Sequence, residues 1–256
     1  MAYKRRMDAF ITMLKIKTVS KQFSGTPVLT SVSLSVPDGT THVLLGSSGS
    51  GKSTLLKIVM GLVPADQGTV HIGSAELNSK FQPEWVRKIG YVPQDGGLFP
   101  HLTAAENVIL VASTLGWDRA RLQRRIEELS KVVSIEPGIL RQYPRELSGG
   151  QRQRVALMRA DFLDPDVLLL DEPLGALDPL SRFEVQTELK EIFLKLKKTV
   201  LFVTHDINEA AYLGESVSLL NQGSLIQSGP FKELLLRPSD PFVTRFINAQ
   251  RNWSID

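Results

Sequence analysis

The sequence predicts an α/β protein built on a parallel sheet, with an antiparallel β layer ahead of it and a helical insertion within it. Three observations carry that reading. Val167-Leu168-Leu169-Leu170 and Val200-Leu201-Phe202-Val203-Thr204 are continuous apolar runs that end in polar residues, as strands buried on both faces of a parallel sheet do. Leu14 to Val19 and Ser31 to Val36 alternate apolar and polar residues, the pattern of strands with one wet face. From Gln94 to about Leu163 the apolar spacing is helical, with no convincing strand.

The totals set bounds. A chain of 256 residues, 42% hydrophobic and 22% charged, has the composition of a globular protein with a substantial core. Its net charge of +3 is small and its basic residues are interleaved with acidic ones, which argues against a nucleic-acid partner. Cysteine is absent, so disulfides, thiolate metal sites and cysteine catalysis are excluded. No apolar stretch approaches the ~20 residues of a membrane-spanning helix. The basic start, Met1 to Arg6, is followed by a stretch that carries Asp8 and never becomes the apolar core, ~7 residues or more, of a signal peptide. It reads as a floppy leader before the first strand, so membrane involvement is expected only through a partner.

Taken in order, the strand at Leu14–Val19 leads to a turn, Lys21-Gln22-Phe23-Ser24-Gly25, and to a second strand in which Val32, Leu34 and Val36 share a face. Phe23 is either a core anchor or a platform for a base. The strand Val43-Leu44-Leu45 then runs into Gly46-Ser47-Ser48-Gly49-Ser50-Gly51-Lys52-Ser53-Thr54, followed by the helix pattern Leu55-Leu56-Lys57-Ile58-Val59. Strand, glycine-rich loop, Lys-Ser and helix form a phosphate-binding P-loop. Inward-turned N–H groups make an anion nest, and the helix adds the positive end of its dipole. Gly46, Gly49 and Gly51 allow the unusual backbone and keep Cβ atoms away from phosphate. Lys52 reaches outer phosphates, and the Ser53 hydroxyl suits Mg²⁺. Nucleoside triphosphate binding follows.

Gly61 and Pro64 stop the helix, and Gly68–Ile72 reads as a strand. Trp85-Val86-Arg87-Lys88 is a short turn before the strand Ile89–Val92, which ends at Pro93-Gln94. Gln94 is either a solvated amide or a group that reaches the metal or the attacking water. The following loop carries Leu98 and Phe99, apolar residues that a purely solvated loop disfavours. Thr103 with Glu106 is a capping box, and Asp118 caps a helix with Leu122, Ile126, Leu129 and Val133 on one face. Arg121, Arg124, Arg125, Glu127, Glu128 and Lys131 make its solvated face.

Leu147-Ser148-Gly149-Gly150-Gln151 opens the next helix, with Ser148 and Gln151 as a second capping box. Two glycines in a first turn disfavour the helix by roughly 1 kcal/mol each. A cap does not need them, so a second anion-binding helix start is favoured over a merely well-capped one. Asp171 and Glu172 follow the apolar run at the strand end where α/β sheets bind ligands. Asp171 suits Mg²⁺ through water and Glu172 the polarisation of the attacking water, against the plainer reading of a loop-facing acidic pair. Asp178 caps, and Pro179 starts, a helix whose buried stripe is expected at Leu180, Phe183, Leu189, Ile192, Phe193 and Leu196. His205 ends the next strand at the same sheet edge as Asp171 and Glu172 and is the candidate for contacting a γ-phosphate. The other histidines, His42, His71 and His101, read as structural. Short strands Ser216–Leu220 and Ser224–Gln227 and helical segments from Phe231 and Phe242 finish the chain.

In this order and over nearly the whole chain, from about Leu14 to Ile247, these motifs resemble the nucleotide-binding subunit of ATP-binding cassette (ABC) transporters. The resemblance implies a single nucleotide-binding domain of P-loop NTPase (RecA-like) fold. Its catalytic core would occupy about 13–94 and 164–236, a helical signature subdomain about 95–163, and a helical tail 237–256. It implies ATP and Mg²⁺, with the whole P-loop on the phosphates and Phe23 stacked on adenine. Ser53, Gln94 and Asp171 would organise the metal, with Glu172 the base on water. Two copies, or a homologous pair, would close head to tail, so that the signature Ser148-Gly149-Gly150-Gln151 and the Asp178 loop complete the partner's nucleotide site. Ser148 and Gly150 would then meet its γ-phosphate. Transmembrane permease subunits would hold the chain at the cytoplasmic face of the membrane, with Leu98-Phe99 near their docking groove, and an extracytoplasmic solute-binding protein would deliver solute. Leu115-Gly116-Trp117 and Arg237-Pro238-Ser239-Asp240-Pro241-Phe242 are most similar to importers of glycine betaine and other quaternary amines.

Two departures stand out. Asp161 replaces an apolar residue and puts helix packing there in doubt, and the chain leaves no room for the regulatory domain that many osmoprotectant members carry. Regulation through such a domain is therefore not expected. An importer ATPase for another solute is the alternative, and a soluble ABC ATPase acting on nucleic acid or ribosomes the more distant one. A P-loop kinase lacks an acceptor-binding lid and would leave the Ser-Gly-Gly-Gln helix start without purpose.

Overall fold

Alternation along the first two apolar stretches becomes a long antiparallel pair. The structure, a computed structural model, describes residues 12–77, 82–175 and 177–250. The leader ahead of residue 12, Ala176 of the Asp178 loop and the end of the tail lie outside them. The described residues form two compact units, one running to Val86 and resuming at Thr199, the other spanning Arg87–Lys198.

In the first unit, β1 (Thr12–Phe23) pairs with β2 (Thr26–Pro37), and Leu14↔Val36 and Ile16↔Leu34 set their apolar residues on one buried face. The expected turn at 21–25 is shorter: the ladder continues to Phe23↔Thr26, leaving Ser24-Gly25 as the turn. Asp66 sustains that extension by accepting from Lys21 Nζ at 2.6 Å and from the Gln22 amide at 2.7 Å. Strand β3 (Thr41–Leu45) is buried throughout and delivers the glycine-rich loop to α1 (Lys52–Val59). That helix buries Leu55, Leu56, Ile58 and Val59 and stops at Gly61, where Leu62 N donates back to Lys57 O in a Schellman turn. Strand β4 (Gln67–Ile72) adds to the other side of β1, and the two-residue β5 (Ala75–Glu76) follows it. The expected turn at Trp85 is a one-turn helix, α2 (Pro83–Arg87), anchored because buried Trp85 donates its Nε1–H to Val59 O.

Among its described residues the second unit pairs β6 (Ile89–Val92) in parallel with β7 (Val167–Asp171) and holds four α-helices. These are α3 (Ala104–Thr114), α4 (Arg119–Val132), α5 (Gly149–Asp161) and α6 (Pro179–Leu196). Both capping boxes form, Thr103 with Glu106 and Ser148 with Gln151, and Asp118 and Asp178 cap as expected. Two expectations fail. Leu180 and Phe183 are 70% and 66% exposed, because α6 turns Val185, Gln186, Leu189, Ile192 and Phe193 inward instead. Arg125 leaves the solvated face of α4, donating to the Asp161 and Phe162 carbonyls and to the Asp161 carboxylate at 2.9 Å. That contact resolves the packing of Asp161, which is 1% exposed with a guanidinium against it.

The chain returns to the first unit as β8 (Thr199–Thr204), parallel to β3, with α7 (Ile207–Leu213) after it. Strand β9 (Ser216–Asn221) joins β3 on its other side and turns into antiparallel β10 (Ser224–Gly229). Helices α8 (Phe231–Leu236) and α9 (Pro241–Gln250) follow. His42 is fully buried in β3 between the Ser216 and Ser218 hydroxyls, at 2.7 and 2.9 Å, and is structural as expected. Among the described residues no helix is long and apolar enough to cross a membrane.

Candidate nucleotide-binding site

Three groups of site residues are assembled, one in the first unit and two in the second. The first grows out of β3. Leu45 pairs with Thr204 of β8, so the chain leaves both strands at one sheet edge, as Gly46 on one side and His205 on the other. Gly46 lies so close to β9 that a Cβ there would sit 2.4 Å from Leu220 O. Gly49 and Gly51 take φ of 76° and 106°, which turns successive amides the same way before α1 begins. Gly51 is the helix N-cap and offers no side-chain acceptor, so the first-turn N–H groups have no cap from it. The Lys52 ammonium lies inside the loop, donating to Gly46 O at 2.8 Å and Ser47 O at 3.0 Å, and the residue is buried. Ser50 contributes a buried hydroxyl without a hydrogen-bond partner. Amides, a cation, the Ser53 and Thr54 hydroxyls and this orphaned donor fit a polyphosphate. Phe23 is 46% exposed at the end of β1, with Lys21 Nζ 5.4 Å from its ring centroid. A solvent-facing ring suits stacking better than it suits the core-anchor reading.

The second group gathers where β6 and β7 end. Val92 pairs with Leu170, so Pro93-Gln94 and Asp171-Glu172 emerge side by side. Glu172 has φ of 46°, a left-handed conformation that costs a residue with a Cβ about 1–2 kcal/mol. The turn it opens closes with Gly175 N donating to Glu172 O at 3.1 Å. A Cβ on Gly175 would lie 3.5 Å from the Gln94 amide nitrogen, so the Gln94 side chain rests against the turn that follows the acidic pair. An amide and a carboxylate at one strand edge match the oxygen ligands that Mg²⁺ takes. Among the described residues no three His, Cys, Asp or Glu side chains cluster as a metal cage.

One member of this group was missed from the sequence. The Tyr91 hydroxyl bonds the Asp171 carboxylate, and burial first, then the Asp171 charge, pushes its pKa up to about 12. A neutral phenol at this point donates and thereby orients the carboxylate. The available signal was its place, directly before Val92-Pro93-Gln94 on the strand beside β7.

The third group is the start of α5. Ser148 Oγ accepts from Gln151 N at 3.2 Å, while Ser148 N donates to Gln151 Oε1 at 2.8 Å. The hydroxyl keeps its own hydrogen to donate, and the Gly149 and Gly150 amides precede the first intrahelical bond. Packing also constrains these glycines: a Cβ on Gly149 would meet Leu177 Cδ2 at 2.4 Å, and one on Gly150 would meet Val185 Cγ2 at 2.9 Å. Asp178 lies just beyond Leu177; a hydrogen bond from the Ser181 hydroxyl, and then one from Ser181 N at 3.1 Å, lower its pKa.

Residues 29–175 match the family described as ABC transporter. The osmoprotectant import ATP-binding protein OsmV of Salmonella typhimurium is 42% identical over 245 residues, covering 93% of this chain and 64% of that protein. The chain thus spans less than two thirds of that relative. The glycine betaine uptake system ATP-binding protein YehX of Escherichia coli is 42% identical over 235 residues, covering 92% of this chain and 76% of that one. Among solved structures, the dimeric post-hydrolysis state of the ATP-binding cassette MJ0796 bound to ADP and Pi superposes with a TM-score of 0.73 at 34% identity. It covers 86% of this chain and 99% of that one.

Proposed function

The chain belongs to the ABC transporter family, and from that premise we propose that it is the ATP-hydrolysing subunit of a membrane importer for a quaternary amine of the glycine betaine or choline type. The observation that carries the ATPase reading is the pairing of a P-loop with a second, capping-box helix start at Ser148 whose first-turn amides are glycine amides. One chain needs both only if phosphate is gripped from two directions. The head-to-tail dimer supplies the second direction, and the dimeric structure of the similar cassette MJ0796 bound to ADP and Pi supports it.

In this reading Gly46 to Thr54 hold the phosphates, with Lys52 exchanging its carbonyl partners for phosphate oxygens. Phe23 supports the base. Ser53, Asp171 and Gln94 would hold Mg²⁺, which would neutralise charge on the outer phosphates. Glu172 accepts the proton of the attacking water, and His205 orients the γ-phosphate from the edge beside Gly46. Ser148 and Gly150 of the partner copy, with Gly149, Gln151 and the Asp178 loop around them, complete the donor set. Because phosphoryl transfer depends on positioning and charge stabilisation, donors withheld until closure make turnover conditional on closure. Permease subunits receive that motion at the apolar loop of Leu98 and Phe99, the latter 44% exposed, and place the chain at the cytoplasmic membrane face. A solute-binding protein outside delivers the amine.

Glu172→Gln tests the chemistry: ATP binding should persist while turnover falls about 10²–10⁴-fold. Undiminished turnover would remove Glu172 from the mechanism. The solute is tested in vesicles carrying the whole transporter, where glycine betaine with its binding protein should accelerate ATP turnover. Acceleration by other solutes alone would overturn the amine assignment.

A further inference from the structure

Helix α5 is gripped at its far end by a loop it does not belong to. Arg159, ten residues beyond Gly149 and therefore about 15 Å along the helix, donates Nη1–H to Gly97 O and Nη2–H to Gly96 O, the latter at 2.9 Å. These carbonyls belong to the two residues that follow Gln94-Asp95. Gly96 and Gly97 have φ of 74° and 58°, an uncommon pair of left-handed residues that presents both oxygens to one guanidinium. The conformation is braced from within, since Gly96 N donates to Pro93 O and the Asp95 carboxylate accepts from Gly97 N, both at 2.9 Å. A Cβ on Gly97 would meet Pro93 Cγ at 2.6 Å, so the loop admits no slack there. Its other end is fixed by Asn107, wholly buried on α3. Asn107 accepts from Phe99 N at 2.7 Å and donates toward the Phe99, Leu102 and Thr103 carbonyls at 3.0–3.1 Å. The segment from Gln94 to Thr103 is thus a strut clamped at two points, and α5 supplies one clamp.

We propose that Arg159 is a positioning residue that ties the phosphate-facing start of its own helix to Gln94, so that the two ATP sites of the dimer respond to one another. The proposal rests on the composite-site reading above. There, Ser148 and Gly150 serve the partner's site while Gln94 serves the site of its own chain. A pull on the N-terminus of α5 by γ-phosphate in one site is carried by a rigid helix to Arg159, which moves Gly96-Gly97 and with them Gln94 in the other site. By linkage the influence runs equally in reverse for binding. Without Arg159 the helix start and Gln94 are set independently.

The test is ATP hydrolysis by the full chain against ATP concentration, for wild type and for Arg159→Met, which keeps the stem and removes the donors. Wild type should be cooperative, with a Hill coefficient between 1 and the limit of about 2 that two sites permit. Arg159→Met should lose that cooperativity while each monomer still binds ATP as wild type does. Arg159→Lys, which cannot bridge two carbonyls in the same fork, should fall between them. Hydrogen exchange at Gly96, Gly97 and Leu98 needs no variant at Arg159: trapping the ATP-bound Glu172→Gln dimer should slow it relative to the monomer. A cooperative wild type with equally cooperative Arg159 variants, or exchange that ignores dimer closure, would overturn the role of Arg159 alone. A non-cooperative wild type whose turnover is also indifferent to Ser148→Ala would sink the composite site, and this inference with it.

Discussion

Replacing Asp161 by asparagine should stabilise the protein at neutral pH, although it removes one half of a buried ion pair. Asp161 closes α5 with 1% of its surface exposed, and Arg125 Nη2 lies 2.9 Å from Oδ2. Burial dominates: it pushes the carboxyl from 3.8 up to about 6, against the pull of Arg125 and Lys198 and with help from Asp164 and Glu128. A rise of that size means that holding Asp161 ionised costs the folded state about 3 kcal/mol relative to holding it protonated. Oδ1 shows why, being buried with no hydrogen-bond partner. The folded state therefore keeps its proton longer than the unfolded chain does. This group's contribution is favourable at low pH, erodes as pH rises from about 4 to 6, and is absent above. An asparagine here would abolish the charge penalty but leave an amide NH₂ in the orphaned place, which costs about 1–2 kcal/mol. The net gain at pH 7.5 is about 1–2 kcal/mol, or a few degrees in Tm. Arg125 is not stranded, since it keeps the Asp161→Asn main-chain carbonyl, the Phe162 carbonyl and Glu128 as partners. Urea unfolding of both proteins between pH 4 and 8 measures the difference. It should grow with pH up to about 6.5, cross zero near pH 5 and leave the asparagine variant the less stable protein at pH 4, independently of other titrating groups. A variant less stable than wild type at pH 7.5, or a difference that is flat with pH, would show that attraction to Arg125 outweighs burial.

Three more outcomes are expected. His42, buried between Ser216 and Ser218, has its pKa lowered to about 4 by burial. Its neutral form supports a fold that is fully stable above pH 6.5 and loses about 3 kcal/mol as pH falls toward 4. His42→Asn should flatten that limb of the stability profile, and an unaltered limb would assign the acid sensitivity elsewhere. Tyr91→Phe removes the hydroxyl that bonds Asp171 and should raise the Mg²⁺ concentration for half-maximal turnover about tenfold, with kcat recovered at saturating Mg²⁺. Unchanged Mg²⁺ dependence would make Tyr91 only a packing residue. Gly51→Ala meets φ of 106° and a Cβ 2.7 Å from Leu29 Cδ2 and 2.9 Å from Val28 O. It should cost at least about 2 kcal/mol in the loop and weaken ATP binding measured by calorimetry. Wild-type affinity would mean the loop conformation is not what binds phosphate.

What the sequence made legible was whatever depends on neighbours a few residues apart. A capping box is a relation between residues three apart, so Thr103 with Glu106 and Ser148 with Gln151 could be read and both form. A strand end is marked by the change from apolar to polar, so Gln94, Asp171 and His205 were found at their edges. What escaped depends on partners far along the chain. The spacing of apolar residues on α6 defines stripes but not which stripe is covered. Contacts from α4 and α5 decided that, leaving Leu180 and Phe183 outside. Arg125 reads as one more solvated cation until Asp161, thirty-six residues on, is placed against it. Tyr91 and Asp171 are joined only because β6 and β7 are neighbours.

The glycines after Ser148 show how far a local argument reaches. Two glycines in a first turn weaken a helix, and the sequence offers only a ligand as the reason to keep them. The structure adds another, since Leu177 and Val185 occupy the space where their Cβ atoms would be. The two reasons are not rivals in geometry. Leu177 immediately precedes Asp178, so the bare face of the α5 start is packed by the same segment that would lie at the partner's nucleotide in a closed dimer. They do differ in consequence. If packing alone selected the glycines, Leu177→Ala with Gly149→Ala would restore a normal helix start and leave turnover intact. If phosphate needs the open amides, the double variant would fold and still fail to hydrolyse ATP. Turnover of that folded protein therefore separates a helix start shaped by its neighbour from one shaped for a phosphate.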